Sequence, residues 1–329
     1  MPVYSAPLPP LLLAVPNVSA GRDEAAVAAI GRALAPAEDS GVCLLDVHRD
    51  PDHDRSVFTL SGPQGGLARA LVRGARAAME QIDLRRQEGV HPRVGALDVA
   101  PVVYRDDDTR GAACAEALTA AALIGSELEI PVFLYGELAS AEAHRERAPL
   151  RAGGPEALAR RIESGELRPD HGPARAHPSA GAVLVTARAP LVAFNLELEC
   201  DDLGLACEIA AALRESGGGF PGVRALGLAL ADRGRAQVSF NVHDHRAVAL
   251  RDIVAATRAR APVACAELVG LAPAAAFAGF PRDLPVRGFD PARHLIENAL
   301  GSDSSHDEDE GQASPQAPRY PGGHGPAPA

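Results

Sequence analysis

The chain has no tryptophan and no lysine, and aromatic residues make up only 4% of its 329 positions. Every basic side chain other than histidine is therefore arginine, and the 47% apolar share leans on alanine. We read both as codon bias from a GC-rich genome, so alanine runs say little on their own. The formal charge of −11 excludes the basic surface that general nucleic-acid binding needs. Cysteine is sparse. The five residues, at 43, 114, 200, 207 and 265, include no C-x-x-C pair and leave an odd number. That pattern reads as incidental thiols in a reducing cytosol. Residues 11–15 are too short for a signal h-region and lack a basic n-region. No apolar run approaches the roughly 20 residues of a membrane span, so a soluble, cytoplasmic protein is expected. Gly217, Gly218 and Gly219 lack a P-loop lysine and its spacing. No Gly-x-Ser-x-Gly elbow is present to support a serine hydrolase.

What is present is a succession of short periodic segments. Residues 11–15 read as a buried strand, and 23–34 as a helix that starts near Asp23 and stops before Pro36. Strands follow at 42–47 and 56–61, with a polar loop at 48–55. A helix at 65–82 carries the apolar stripe Leu67, Leu71, Ala75, Ala78 and Ile82. Then come a strand at 94–103, a helix at 111–128 and a strand at 131–134. Residues 137–168 are polar and helix-prone, with Pro155 at a helix start. Three prolines and two glycines make 168–181 an irregular loop. A second set begins with strands at 184–186 and 191–198. It continues through a helix at 205–215, strands at 225–230 and 237–242, a helix at 248–259 and a strand at 263–268.

Such units fit an α/β (α+β) class protein with two βα sandwich domains and helices on one side of each sheet. A doubly wound parallel sheet is the competing arrangement, but no Gly-rich fingerprint follows the first strand of the second half. The expected plan is a loose N-terminus (1–10), a first domain (11–182), a second domain (183–300) and a tail (301–329). Asp303, Asp307, Glu308, Asp309 and Glu310 open that tail, Pro, Gly and Ala follow, and it reads as disordered.

The stretch Gly89-Val90-His91-Pro92-Arg93-Val94-Gly95-Ala96-Leu97-Asp98-Val99 stands out. Pro92 disfavours a helical backbone at His91, and the flanking glycines supply freedom that other residues lack. A histidine held this way, two residues from a fixed positive charge, suits proton transfer beside an anion. A His-Pro pair is, however, most often a plain turn. Arg55 and Arg93 are candidates to hold carboxylates with their planar forks, or else surface ion-pair partners. Asp46 ends an apolar strand, where it orients an imidazole, binds an amine, or simply marks a turn. The segment from His48 to Asp54 and the run His243-Asp244-His245 carry metal-ligand residue types. Neither has a recognised zinc spacing, so no metal is expected.

The His91 segment resembles the "E-H-P-R-M-G-A-x-D-V" motif of glutamate formimidoyltransferases, the folate enzymes of histidine breakdown. Val15-Pro16-Asn17-Val18-Ser19-Ala20-Gly21 resembles that family's "V-P-N-F-S-E-G". Leu44-Leu45-Asp46-Val47 with Asp52-His53-Asp54-Arg55-Ser56-Val57 resembles "L-L-D-V … D-H-N-R-T/S-V", and Val132-Phe133-Leu134-Tyr135-Gly136 resembles "V-Y-L-Y-G-E". Segments at 170–181, 193–195, 237–239 and 267–271 fall in the family's order, so the resemblance spans about residues 11–300. Departures exist. Ala20 replaces a glutamate, Val18 a phenylalanine and Asp54 an asparagine. His48 stands where mammalian members have an aspartate, and the tryptophan that they carry near Ala180 is missing.

The resemblance implies two similar domains with largely antiparallel sheets and a cleft between them, in the stand-alone form without a cyclodeaminase domain. It implies transfer of the formimino group of N-formimino-L-glutamate to N5 of tetrahydrofolate, the co-substrate, with His91 as proton shuttle. The loop Gly172, Pro173, Ala174, Arg175, Ala176, His177, Pro178, Ser179, Ala180 and Gly181 takes the position of the family's folate-contacting segment and would border the cleft. Formyl transfer between glutamate and 5-formyltetrahydrofolate is the nearest alternative, and a folate-binding homologue without activity the next. The expected partners are small molecules, folate and formiminoglutamate, with no nucleic acid and no membrane; a homodimer is left open.

Overall fold

Leu12 and Leu13 are neighbours in sequence and both fully buried, yet they serve different cores. Successive strand side chains point to opposite faces of a sheet, so this strand is covered on both sides. The computed structural model describes residues 9–38, 41–87, 92–230 and 233–303. Its first half runs β1 (Leu11–Ala14), β2 (Asn17–Val18), α1 (Glu24–Leu34), β3 (Cys43–Asp50), β4 (Arg55–Pro63), α2 (Leu67–Gln81), β5 (Leu97–Val103), α3 (Asp107–Leu128), β6 (Val132–Leu134), α4 (Arg147–Arg151), α5 (Gly154–Glu163) and β7 (Val183–Arg188). The β1–β2 segment lies between antiparallel β4 and β5, and β3 pairs with the outer side of β4. Beyond β5 the sheet continues in parallel through β7 to β6.

The second half contains β8 (Val192–Leu198), α6 (Leu203–Leu213), β9 (Val223–Leu230), β10 (Arg235–Val242), α7 (Leu250–Arg258), β11 (Val263–Val269), β12 (Val286–Arg287), α8 (Pro291–His294) and α9 (Ile296–Asp303). Its sheet, in the order β12-β11-β8-β10-β9, is antiparallel apart from the short β11–β12 pair. Helices α6 and α7 cover one face. Phe194, Leu196, Val238 and Phe240 supply the core beneath them.

Two α/β units with separate sheets agree with the sequence reading, but four details differ. β7 belongs to the first sheet, so the sheets divide between Arg188 and Val192 rather than at 182/183. An apolar strand buried on both faces reads alike in either sheet. The helices are not confined to one side. α1, α2 and α3 cover one face of the first sheet, while Leu150, Leu158 and Ile162 of α4 and α5 pack on the other against Val99, Phe133 and Leu184. The polar loop expected at 48–55 is shorter, a turn at 51–54, because β3 runs on to Asp50 and β4 begins at Arg55. Finally, α3 is long and apolar enough, by length and composition alone, to cross a membrane, contrary to the expectation. Alanine raises its hydropathy, and its buried residues Ala113, Ala117, Ala120, Ala121 and Ile124 belong to the core beneath the first sheet. The expected tail lies outside the described residues from 304 onward, and so do residues 1–8.

Helix α2 starts at Gly66, which offers no side-chain cap. The cap comes from another helix. The buried carboxylate of Glu116 on α3 accepts from the backbone N–H of Gly65 (2.7 Å) and of Ala68 (2.6 Å). A carboxylate there satisfies two otherwise orphaned donors and complements the positive end of the helix dipole. We expect Glu116→Ala to lower unfolding free energy by about 2–3 kcal/mol, read as a shift of the urea midpoint. A loss below about 0.5 kcal/mol would show that solvent replaces this cap.

Candidate active site

Each sheet gives one face to its helices, and parts of the remaining faces oppose each other. Strand periodicity decides which side chains enter the space between. β3 contributes His48 and Asp50, and β4 contributes Arg55, Val57 and Thr59. Across from them stand Ala193 and Asn195 of β8, Gln237, Ser239 and Asn241 of β10, and Val269 of β11. Ion pairs bridge the two halves: Arg233 Nε lies 3.3 Å from Asp52, and Arg224 pairs with Glu146. His294 lies 3.9 Å from Asp46, and His48 lies 4.0 Å from Glu267. Glu267 in turn accepts from Asn195 Nδ2 at 3.0 Å.

The cleft has three parts. A chamber walled by Leu13, Val57, Val99, Val103, Leu271 and Ile296 is mostly apolar. A polar pocket around His48, Arg55, Arg151, Asn195 and Gln237 adjoins it. An arginine-rich mouth holds Arg145, Arg147, Arg188, Arg224 and His243 around Tyr135. Arg147 borders all three parts. Its guanidinium lies 5.8 Å from the Tyr135 ring centre, an orientation that favours a cation over the ring face.

Electrostatics follow from burial and crowding of like charge. Burial, then the charge of Arg151, pulls the Arg55 guanidinium down to about 10. Burial does the same at Arg188, again to about 10, so both stay charged at neutral pH. His243 is pushed down to about 3, first by burial and then by Arg224, Arg188 and Arg147. Arg224 Nη1 donates to its Nε2 at 2.7 Å, the contact that a neutral imidazole accepts. Burial lowers His48 and raises Asp46 and Glu267, with Asp46 eased by His294 and His48.

The expected site residues fall in different places. Arg55 lies in the cleft, where it donates to Asn17 Oδ1. Asp46 faces His294 at the cleft's edge. Arg93 does not line these three parts: it is buried and donates to the His53 carbonyl at 3.2 Å. His91 lies outside the described residues. Pro92, which follows it, lines a cavity with Arg147, Arg151 and Asn241. The 172–181 loop does not border the cleft parts described here but is stitched to the segment after His91. Ala96 N donates to Ala180 O and Ala182 N to Val94 O, while His177 and Gly181 exchange both backbone hydrogen bonds at 2.9 Å. Packing explains its glycines. Gly172 has φ +80° and Gly181 φ +69°, and an added Cβ would meet Ile130 O at 2.5 Å and Val94 O at 2.1 Å. Among the described residues, no group of three or more His, Cys, Asp and Glu is arranged to hold a metal ion.

Four arginines, at 147, 151, 188 and 224, went unnoticed in the sequence. Arg147 and Arg151 come from the polar, helix-prone stretch at 137–168. Their i, i+4 spacing, which puts both on one side of a helical turn, is a usable signal. Asp98, inside the His91 motif, was also passed over. It is buried on β5, accepts from Val94 N at 2.7 Å and pairs with Arg151. One carboxylate thus ties the chain beyond His91 to an arginine of the cleft.

A two-domain α/β protein with an arginine-lined cleft between its sheets is the class that these observations define. Residues 11–188 match the family described as "Formiminotransferase domain, N-terminal subdomain", and 193–280 match "Formiminotransferase domain". The junction coincides with the division between the sheets. The chain belongs to the formiminotransferase family. It is 36% identical over 293 residues to "Glutamate formimidoyltransferase" of Streptococcus pyogenes serotype M1, covering 87% of this chain and 97% of that one. Identity to the protein of the same name from Thermoplasma acidophilum is 35% over 294 residues, 87% of this chain and 96% of that one. The "Formimidoyltransferase-cyclodeaminase" of Sus scrofa is 37% identical over 315 residues, 89% of this chain but 57% of that one.

His243 gives the site a pH signature. Its folded value, about 3, lies below the ordinary 6.5, so between those values the unfolded chain binds the extra proton. Its contribution to stability is complete above pH 6.5 and is lost progressively as pH falls toward 3. His243→Gln keeps an acceptor for Arg224 and removes the titration. We expect its urea stability to fall less steeply than the parent's from pH 6.5 to 4, by up to about 1.4 kcal/mol per pH unit. Parallel curves would mean that His243 already charges in the folded protein.

Proposed function

We propose that this chain is a glutamate formimidoyltransferase, moving the formimino group of N-formimino-L-glutamate to N5 of tetrahydrofolate and releasing L-glutamate. The observation that carries the reading is the cleft between the two formiminotransferase subdomains. In a chain of net charge −11 it gathers the guanidinium groups of Arg55, Arg147, Arg151 and Arg188 beside an apolar chamber. Both substrates bear carboxylates, which planar guanidinium forks hold well, and one bears a flat ring that apolar walls accept.

The reaction joins N5 to the formimino carbon, passes through a tetrahedral centre and breaks the bond from that carbon to the glutamate nitrogen. N5 loses one proton and the departing amine gains one. His91 takes the first and returns the second, as an imidazole near neutral pH can. Arg93 and Asp46 support the site from its edges: Arg93 fixes the turn at His53, and Asp46 meets His294. The loop from Gly172 to Gly181, expected to contact folate, is bonded to the segment after His91 and supports the site through that segment. The narrow cleft keeps water from the tetrahedral carbon, so hydrolysis does not compete. A cytoplasmic location accompanies this reading.

The test is a steady-state assay of the purified chain with tetrahydrofolate and either formiminoglutamate or formylglutamate. Turnover with the first and none with the second is expected; the reverse assigns formyl transfer, and no turnover with either overturns the reading. In the active protein, His91→Ala should fold and bind folate but lose about 10²- to 10⁴-fold in kcat. Retention of kcat within threefold of the parent would remove His91 from the mechanism.

A further inference from the structure

Four buried polar atoms of residues lining the polar pocket have no hydrogen-bond partner among the described residues: Nε of Arg55, Nε of Arg151, Nε2 of Gln237 and Nε2 of His48. Native interiors satisfy the large majority of such groups, and each exception calls for an explanation. Four exceptions around one space outline the ligand that completes them. Gln237 is 1% exposed, and the Arg151 side chain 10%, so bulk solvent is a poor substitute.

One end of each guanidinium is already committed. Arg55 Nη2 donates to Asn17 Oδ1, and Arg151 Nη2 donates to Asp98 Oδ2. Each guanidinium is thus anchored at one end while its Nε–H stays unused. Two fixed cations and an amide donor present what a carboxylate accepts. Asp50, the acid that also lines this pocket, is taken by the His53 imidazole. The apolar chamber next door, walled by valines, Leu271 and Ile296, suits a ring instead.

We propose that this pocket is the subsite of the amino-acid donor, where Arg55, Arg151 and Gln237 grip one carboxylate of formiminoglutamate while folate occupies the adjoining chamber. The assignment rests on the transfer reading above and adds to it which substrate sits where. His48 faces the same pocket, and burial lowers its affinity for a proton below that of a free imidazole. Asp46, Asp50, Arg55, His294 and Glu267 are the charged and titratable groups around it.

The experiment compares Michaelis constants for both substrates in Arg151→Met and Gln237→Leu. Losing a charged donor should raise the donor KM about 10- to 100-fold, and losing the amide about 3- to 10-fold. The tetrahydrofolate KM should stay within threefold in both. Arg151→Met leaves Asp98 without its cation, so this variant risks misfolding. Gln237→Leu keeps the volume and removes the side-chain amide with its unused Nε2 donor, and it decides the matter if the first variant fails to fold. An increase confined to tetrahydrofolate, or no change in either constant, overturns the assignment. If the parent shows no transfer at all, titration calorimetry with L-glutamate separates the two claims. Binding by the parent that weakens in Gln237→Leu upholds the pocket while the transfer reading fails. Absent binding, or equal binding by both proteins, overturns the pocket as well.

Discussion

Helices cover one face of each sheet and, through α4 and α5, part of the first sheet's other face. The parts left open meet, and they carry arginines, carboxylates and amides, groups that cannot be sealed dry without partners. The cleft is the outcome of that constraint. Where cross-domain pairs exist, such as Arg233 with Asp52 and Arg224 with Glu146, the halves are held together. Where they do not, space and unmet hydrogen-bonding capacity remain. Alternation along β4 shows the division of labour: Ser56, Phe58 and Leu60 turn away from the cleft, while Arg55, Val57 and Thr59 turn toward it. A one-residue slip in this strand would exchange the core for the site.

Asp98 shows how a buried charge can be tolerated in the middle of such a sheet. Its two oxygens are both used, one by a backbone amide and one by a guanidinium. Glu197, 1% exposed on β8, follows the same rule with Arg233 at 2.5 Å and Arg287 at 2.6 Å. Glu116 obeys it with two backbone amides. The positive surplus therefore collects at Arg55, Arg147 and Arg188, which form no direct ion pair with a carboxylate among the described residues. An acidic chain with a cationic cleft attracts anions to one place and repels them elsewhere.

Much of this was readable in advance because period and punctuation agreed. Asp23 caps α1 by accepting from Ala26 N, and the stripe on α2 packs where its spacing requires. The His91 motif and its companions identified the family before any contact was known. What escaped had physical causes. The strand through Asp50 looked like a loop because its polar residues face a cleft, not water. Strand β7 looked like the start of a second unit because the partner of a parallel strand is set by a distant crossover. The cleft arginines come from a helical turn and separate strands, so only the fold assembles them. The glycines of the loop at 172–181 answer to close backbone packing, a demand that the sequence alone does not separate from ligand contact.

The arginine-only composition has a chemical consequence inside the cleft. Desolvation that brings a guanidinium to about 10 leaves it charged and non-nucleophilic at neutral pH. A lysine buried to the same degree would lose its proton and present a free amine. A free amine is the very group to which activated one-carbon units are passed. Beside a formimino carbon it would compete with folate as acceptor and end as a dead, amidine-capped side chain. Guanidinium groups around such a cleft can hold an anion without being able to react with it.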